Sequence, residues 1–126
     1  MDRVFLDANV LFSAAWREET GVQRLWARPH ATLLTSAYAA EEARRNLDTA
    51  AQRARLDQLL TSVQIVPEAR DRSLPDGITL PEKDIPILLA ALAANSTHLL
   101  TGDLRHFGSL LGKRAGTMLI LRPGDY

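Results

Sequence analysis

Val4-Phe5-Leu6-Asp7-Ala8-Asn9-Val10-Leu11 is the stretch near the start of the chain that decides the fold prediction. Residues 3–6 predict a short buried strand, and the apolar positions from Val10 to Ala15 predict a helix directly after it. Asp7 lies between the two, where a carboxylate must either accept hydrogen bonds from the helix start or face a functional site. A strand followed at once by a helix is typical of α/β sheets, which bind their ligands at the carboxyl ends of the strands.

Strands and helices alternate along the rest of the chain. Further strands are predicted at residues 31–35, 63–66, 98–101 and 117–121, and further helices at 20–28, 36–47, 49–60, 85–94 and 104–111. Thr20 and Gln23 have the spacing of a capping box, and Asp84 is the expected cap of the helix at 85–94. This order predicts an α/β fold with a mostly parallel sheet of four or five strands and helices on both faces.

Length and composition indicate one ordinary domain, residues 1–126. Residues 67–82 are interpreted as a loop and not as a linker between domains, because the segments on either side are each too small to fold alone. The absence of cysteine excludes disulfides and thiolate ligands, so that carboxylates and histidines remain as metal ligands. No apolar run is long enough to cross a membrane, and the first residues do not resemble a signal peptide, so we expect a cytoplasmic protein. Fifteen basic and fifteen acidic residues argue against a tight nonspecific nucleic-acid binder.

Four acidic residues lie at the ends of the predicted elements: Asp7, Glu42, Asp84 and Asp103. Asp7 and Asp103 follow strands, and right-handed crossovers bring the carboxyl ends of parallel strands to one edge of the sheet. The other two lie near the starts of helices that open toward that edge. Like charges at about 4 Å repel by roughly 4 kcal/mol each at an intermediate dielectric constant, and a divalent cation would remove that penalty.

Carboxylates in such a group suit Mg²⁺ or Mn²⁺, and the chemistry that this predicts is phosphodiester hydrolysis. Asn9 can orient a carboxylate or a water, and the hydroxyls of Ser36 and Thr101 can support the acids from behind. Arg105 and His106 follow the last acid closely enough to contact a substrate phosphate. We therefore expect a metal site with these three supporting residues and two substrate contacts.

Each acid also has a structural interpretation. Asp84 and Asp103 both precede helices and can be simple N-caps. Glu42 and Glu41 are neighbours in an early helical turn, where either one complements the helix dipole. Glu42 is preferred for the site because it shares a stripe with small apolar residues, whereas Glu41 shares a face with arginines. The choice between the two glutamates stays open at this stage.

The order of these motifs resembles the PIN-domain family, which includes toxin ribonucleases of the VapC kind. The resemblance spans almost the whole chain and rests on the segments Val4–Leu11, Thr35-Ser36 with Glu41–Leu47, Lys83-Asp84, and Leu99–Asp103 with His106-Phe107. It implies a three-layer α/β/α sandwich and a Mg²⁺- or Mn²⁺-dependent ribonuclease site on the four acids. It also implies an RNA substrate and favours a homodimer. It does not separate toxins, which an antitoxin would inhibit by covering the acidic edge, from family members with processing or housekeeping roles.

Arg105 departs from the family pattern, because many relatives carry an acid or an asparagine at that position. The number of metals, one or two, is therefore left open. An inert PIN-like domain that binds RNA or protein without cleavage is a second hypothesis. A third is phosphotransfer through an aspartyl phosphate on Asp7, but Asn9 stands where phosphatases of that type need a second aspartate.

Overall fold

The computed structural model describes residues 1–126, and its centre is a six-stranded sheet in the order β3-β2-β1-β4-β6-β5. All neighbouring strands are parallel except β5, which pairs antiparallel with β6. The strands are β1 (Asp2–Leu6), β2 (Ala31–Ser36), β3 (Gln64–Val66), β4 (His98–Leu100), β5 (Arg114–Ala115) and β6 (Met118–Leu121). The predicted mostly parallel sheet is confirmed, with one strand more than expected.

Five α-helices connect the strands. They are α1 (Ala8–Ala15), α2 (Ala37–Asn46), α3 (Ala50–Leu60), α4 (Ile85–Ala93) and α5 (Leu104–Phe107). Short 3₁₀ helices add the segments Gly21–Ala27, Glu82–Asp84, Gly108–Leu110 and Pro123–Asp125. The predicted alternation of strands and helices is present from β1 to α5, and β5 and β6 then follow each other without a helix between them.

Two hydrophobic clusters lie on opposite faces of the sheet, because successive side chains of a strand point to opposite sides. Phe5 of β1 packs with α4 and with Phe107 in one cluster. Val4 and Leu6 of the same strand pack with α1 and with Leu56 of α3 in the other. The result is a three-layer sandwich of helix, sheet and helix, as predicted.

The segment before β2 differs from the prediction. Residues 21–27 form a 3₁₀ helix, and Thr20 at its N-cap makes no side-chain capping bond. The Gln23 side chain donates instead to Ala14 O at 2.7 Å and to Arg17 O at 3.2 Å. The predicted capping box is therefore wrong here, because the glutamine ties the segment to the end of α1.

No helix combines the length and the apolar character that a membrane crossing requires.

Candidate functional site

A cleft of about 320 Å³ opens at the carboxyl edge of the central strands. All four predicted acids line it, and they reach it from the end of β1, from α2, from the start of α4 and from the turn after β4. The other lining residues are Ala8, Asn9, Phe12, Asn46 and Lys83. The topology therefore brings together carboxylates that are separated by up to 96 positions in the sequence.

Asp7 is the most enclosed of the acids, with only 3% of its surface exposed. Its Oδ1 accepts a hydrogen bond from the N–H of Ala8 at 2.7 Å, and its Oδ2 accepts one from the Thr101 hydroxyl at 2.7 Å. Burial raises the pKa of Asp7 to about 6, although both hydrogen bonds lower it, and the nearby charges of Asp84 and Glu42 raise it further. Asp7 is thus held in place by two donors and destabilised as an anion by its surroundings.

Thr101 links the two strand ends that carry aspartates. Its hydroxyl donates to Asp7 and accepts from the N–H of Asp103 at 3.0 Å. Asn9 lies 3.5 Å from the same hydroxyl through Nδ2, and its Oδ1 accepts from the N–H of Gly102 at 2.9 Å. These bonds fix the loop after β4 against the start of α1, so that Asp7 and Asp103 keep a constant separation.

Asp84 does not cap α4 with its side chain, although it stands at the N-cap position. The capping expected from the sequence is wrong because the residue has helical backbone angles, φ −94° and ψ −15°, and a 3₁₀ turn precedes it. Its carboxylate is buried and lines the cleft. The Tyr38 hydroxyl donates to Lys83 O at 2.7 Å, which anchors this turn to α2.

The two carboxylate oxygens of Asp103 have different partners. Its Oδ1 caps α5 by accepting from the N–H of His106 at 3.1 Å, so the structural interpretation holds for one oxygen. Its Oδ2 lies 2.9 Å from His106 Nδ1, and Asp84 Oδ2 lies 2.9 Å from the same nitrogen. Imidazole and two carboxylates therefore meet at one point of the cleft.

Glu42 and Glu41 occupy different surroundings on α2. Glu42 lines the cleft, and Asn46, one helical turn later, lines it on the same side. Glu41 is exposed and lies 3.8 Å from Arg44, which itself pairs with Asp57 at 2.6 Å. The geometry thus favours Glu42 as the fourth carboxylate of the cleft.

Positive charge at the cleft is sparse. No arginine forms an ion pair with Asp7, Glu42, Asp84 or Asp103. Burial raises the pKa of Asp84, His106 and Lys83 lower it, and the Asp103 charge raises it. The carboxylates are thus not neutralised by a structural arginine, which leaves the cleft available to a cation.

The donor set fits a divalent metal. Asp84, Asp103 and His106 each offer a ligand atom, and these three atoms lie within 4.8 Å of one another. Asp84 Oδ2 and His106 Nδ1 are both buried, and apart from their 2.9 Å contacts with one another and with Asp103 they have no polar partner. Buried polar atoms without partners are costly, and a shared cation would satisfy both.

The predicted supporting residues divide into two groups. Asn9 lines the cleft, and Thr101 is buried behind it. Ser36 caps α2 by accepting from the N–H of Ala39 at 3.1 Å and is not among the cleft-lining residues. Arg105 is exposed on α5, outside the lining.

Sequence reasoning did not single out Phe12, Asn46 or Lys83 as site residues, yet all three line the cleft. Asn46 had a detectable signal, since it follows Glu42 by four positions and shares its helix face. Lys83 adjoins Asp84 in the chain. Phe12 had no such signal, because an aromatic residue in an apolar helix is normally part of the core.

Comparisons with known proteins show the fold. No protein-family model matches the chain, and no curated protein matches it. A similar structure is found in the crystal structure of VapBC2 from Rickettsia felis bound to a fragment of its promoter DNA. One chain of that structure superposes on this protein with a TM-score of 0.66. The fold is PIN-like. The match covers 95% of this chain and 98% of the VapBC2 chain at 15% sequence identity, so the two share the architecture over nearly their whole lengths.

Proposed function

We propose that this protein is a metal-dependent endoribonuclease that hydrolyses RNA phosphodiester bonds. The observation that carries the proposal is the convergence of Asp7, Glu42, Asp84 and Asp103 in one cleft with no arginine paired to any of them. The VapBC2-like fold supports a nuclease of the PIN kind, and the resemblance of the sequence motifs to VapC-like ribonucleases supports RNA as the substrate.

Asp84, Asp103 and His106 would hold the metal, and Asp7 and Glu42 line the same cleft as the two aspartates. Mg²⁺ or Mn²⁺ bound there would polarise a phosphodiester and lower the pKa of a water. The remaining steps belong to the side chains. Lys83 lines the cleft and is exposed, so that its ammonium group can meet the negative charge of a phosphate.

Asp7 is suited to receive a proton. With a pKa of about 6 its carboxylate is ionised at neutral pH and is still more basic than an ordinary aspartate. Thr101 and the N–H of Ala8 hold both oxygens in a fixed direction. A water in the cleft can therefore transfer one proton to Asp7 while its oxygen attacks phosphorus. The P–O bond to the leaving ribose oxygen breaks, and that oxygen takes up a proton from solvent.

We infer that the protein is the toxin of a toxin–antitoxin pair, and that a partner protein controls access to the cleft. The structural likeness to a chain of VapBC2 supports this inference, together with the resemblance of the motifs to VapC-like toxins.

The test is a cleavage assay on single-stranded and structured RNA with Mg²⁺ or Mn²⁺. Wild type should cleave, and a chelator should abolish the activity. Asp7→Asn keeps the shape of the side chain but removes the base, and it should reduce the rate by about 100-fold or more, as for other general bases. Glu41→Gln is the matched control, because Glu41 is an exposed carboxylate outside the cleft, and it should cleave like wild type. Equal cleavage by wild type and Asp7→Asn would disprove the assignment.

A further inference from the structure

Two aromatic rings lie side by side on the outer surface of α1 and at its end. Phe12 and Trp16 are four positions apart, and their ring centroids are 5.1 Å apart with an angle of 37° between the planes. Trp16 keeps 42% of its surface exposed, whereas Phe5 and Phe107 are fully buried. Phe12 packs against the core cluster that contains Val4 and Leu6, and Trp16 extends from it into solvent.

The aromatic pair forms the wall of a second groove. The groove has a volume of about 450 Å³ and is lined by Phe12, Ser13, Trp16, Arg17, Thr20 and Val22. Phe12 also lines the acidic cleft, so the two depressions meet at its ring. From Asp7 to Trp16 the chain advances nine helical positions, which is about 14 Å at the rise of an α-helix. A polymer that leaves the acidic cleft along α1 therefore enters the aromatic groove.

The groove also contains polar groups without partners. Thr20 Oγ1 is buried and makes no hydrogen bond. Arg17 donates from Nε to Glu19 O at 3.1 Å, and its two terminal nitrogens make no hydrogen bond or ion pair. A planar guanidinium group with free N–H donors is well suited to a phosphate. An exposed stacking surface and a cation are thus combined at one place.

We infer that this groove binds the single-stranded RNA substrate away from the bond that is cut. One unpaired base stacks on Trp16 and Phe12, and the adjoining phosphate meets Arg17. The inference rests on the proposed function, since it takes RNA to be the polymer in the acidic cleft. A single strand is required because a base inside a duplex has no free face to stack on an aromatic ring. Trp16 and Arg17 are accordingly binding residues that contribute to substrate choice.

The first experiment measures stacking directly. Trp26→Phe leaves Trp16 as the single tryptophan, and Asp7→Asn in the same chain prevents cleavage during the measurement. Titration with a short single-stranded RNA in the presence of Mg²⁺ should quench the Trp16 fluorescence. A duplex of the same sequence should quench it less. Quenching that is equal for the two, or absent, would contradict the inference.

The second experiment locates the stacked base. In the Asp7→Asn chain, Trp16→Ala should weaken binding of the single strand by about tenfold, the usual loss for one base–aromatic stack. Trp16→Phe should retain most of the affinity. RNAs that each carry an abasic site at a different position should be compared next. An abasic site should reduce the affinity to a similar extent at one position only, and in Trp16→Ala the abasic site at that position should cause no further reduction. Ile65→Ala is the control, because it removes another exposed apolar side chain that lines neither depression, and its affinity should not change.

The outcomes separate this inference from the proposed function. Both experiments use a chain that cannot cleave, so a failure of the wild type to cut RNA does not affect them. If Trp16→Ala binds RNA as tightly as its parent, the inference is wrong, and the aromatic pair is left as a surface for a protein partner. If the abasic loss is the same at every position or persists in Trp16→Ala, the inference is also wrong.

Discussion

Two opposing effects act on the ionised form of Asp7. It is almost completely buried, which destabilises its anion, yet both of its oxygens accept hydrogen bonds that favour the anion. The pKa of about 6 is the net result. Thr101 matters most for this balance, because its hydroxyl is the donor to Asp7 and also the acceptor for Asp103. One hydroxyl therefore couples the charge state of one acid to the position of another.

The raised pKa of Asp7 predicts how stability depends on pH in the absence of metal. An unfolded aspartate has a pKa near 3.9, so below about pH 3 the residue is protonated in both states and makes no difference. As pH rises from 4 to 6, only the unfolded state loses its proton readily, and the folded state becomes less stable. Above pH 6 the whole penalty is present. It corresponds to about 3 kcal/mol for a pKa that rises from 3.8 to about 6.

The measurement is urea unfolding in a chelating buffer between pH 4 and 8. Relative to Asp7→Asn, wild type should lose about 2 kcal/mol of unfolding free energy between pH 4 and 7, because part of the penalty is already present at pH 4. Asp76→Asn, which alters an exposed loop aspartate, should show no such pH-dependent difference from wild type. A constant difference between wild type and Asp7→Asn across this range would show that the pKa of Asp7 is not raised.

A sequence with the spacing of a capping box does not always form the capping hydrogen bonds. Thr49 and Gln52 form a complete capping box at the start of α3, with bonds of 3.1 and 3.0 Å. Thr20 and Gln23 have the same spacing but no such bonds, because Gln23 finds acceptors at the end of α1. Spacing alone does not distinguish the two cases, since the competing acceptors are remote in sequence.

Strand β5 could not be predicted for a related reason. It has two residues, Arg114 and Ala115, and it pairs with β6 through a turn in which Gly116 has a positive φ of 60°. A two-residue strand carries too few positions for any hydrophobic period to be recognised. The five longer strands were predicted because each has recognisable apolar residues, including β3 at the edge of the sheet.

Thr49 and Thr20, which both stand at N-caps, are predicted to contribute differently to stability. Thr49→Ala removes a capping bond and should lower the unfolding free energy by about 1 kcal/mol, the usual value for an N-cap. Thr20→Ala is the matched control, because Thr20 stands at an N-cap without a capping bond, and it should change stability much less. Urea unfolding of both variants at pH 7 provides the comparison. An equal loss in both would indicate that the bond at Thr49 has no stabilising effect.

At the scale of the molecule, the cleft is a consequence of topology. Parallel strands β1 and β4 are neighbours, so Asp7 and the Asp103 turn meet at one edge, and this could be predicted from strand ends alone. The inward turn of His106 toward Asp84 and Asp103 could not, because it depends on where the short helix α5 sits. The aromatic groove was not predicted either, since helical spacing does not tell a core face from an exposed end of the same helix.

The same topology places repelling charges together, and this gives the last prediction. Asp84 and Asp103 both contact His106. Burial raises the pKa of Asp84, and the Asp103 charge raises it further, although His106 and Lys83 lower it. Without metal, Asp84→Asn should therefore raise the melting temperature, because one of the repelling charges is gone.

With metal the order should reverse. Mn²⁺ or Mg²⁺ at 100 times its dissociation constant should stabilise wild type by about 2.7 kcal/mol, which raises the melting temperature by several degrees. Asp84→Asn and Asp103→Asn should lose most of this increase, and Glu41→Gln should keep it, because Glu41 lies outside the cleft. Thermal unfolding of the four proteins with and without metal tests both halves of the argument. An increase of the same size in all four would place the ion elsewhere, and the charges of the cleft would then be unexplained by metal binding.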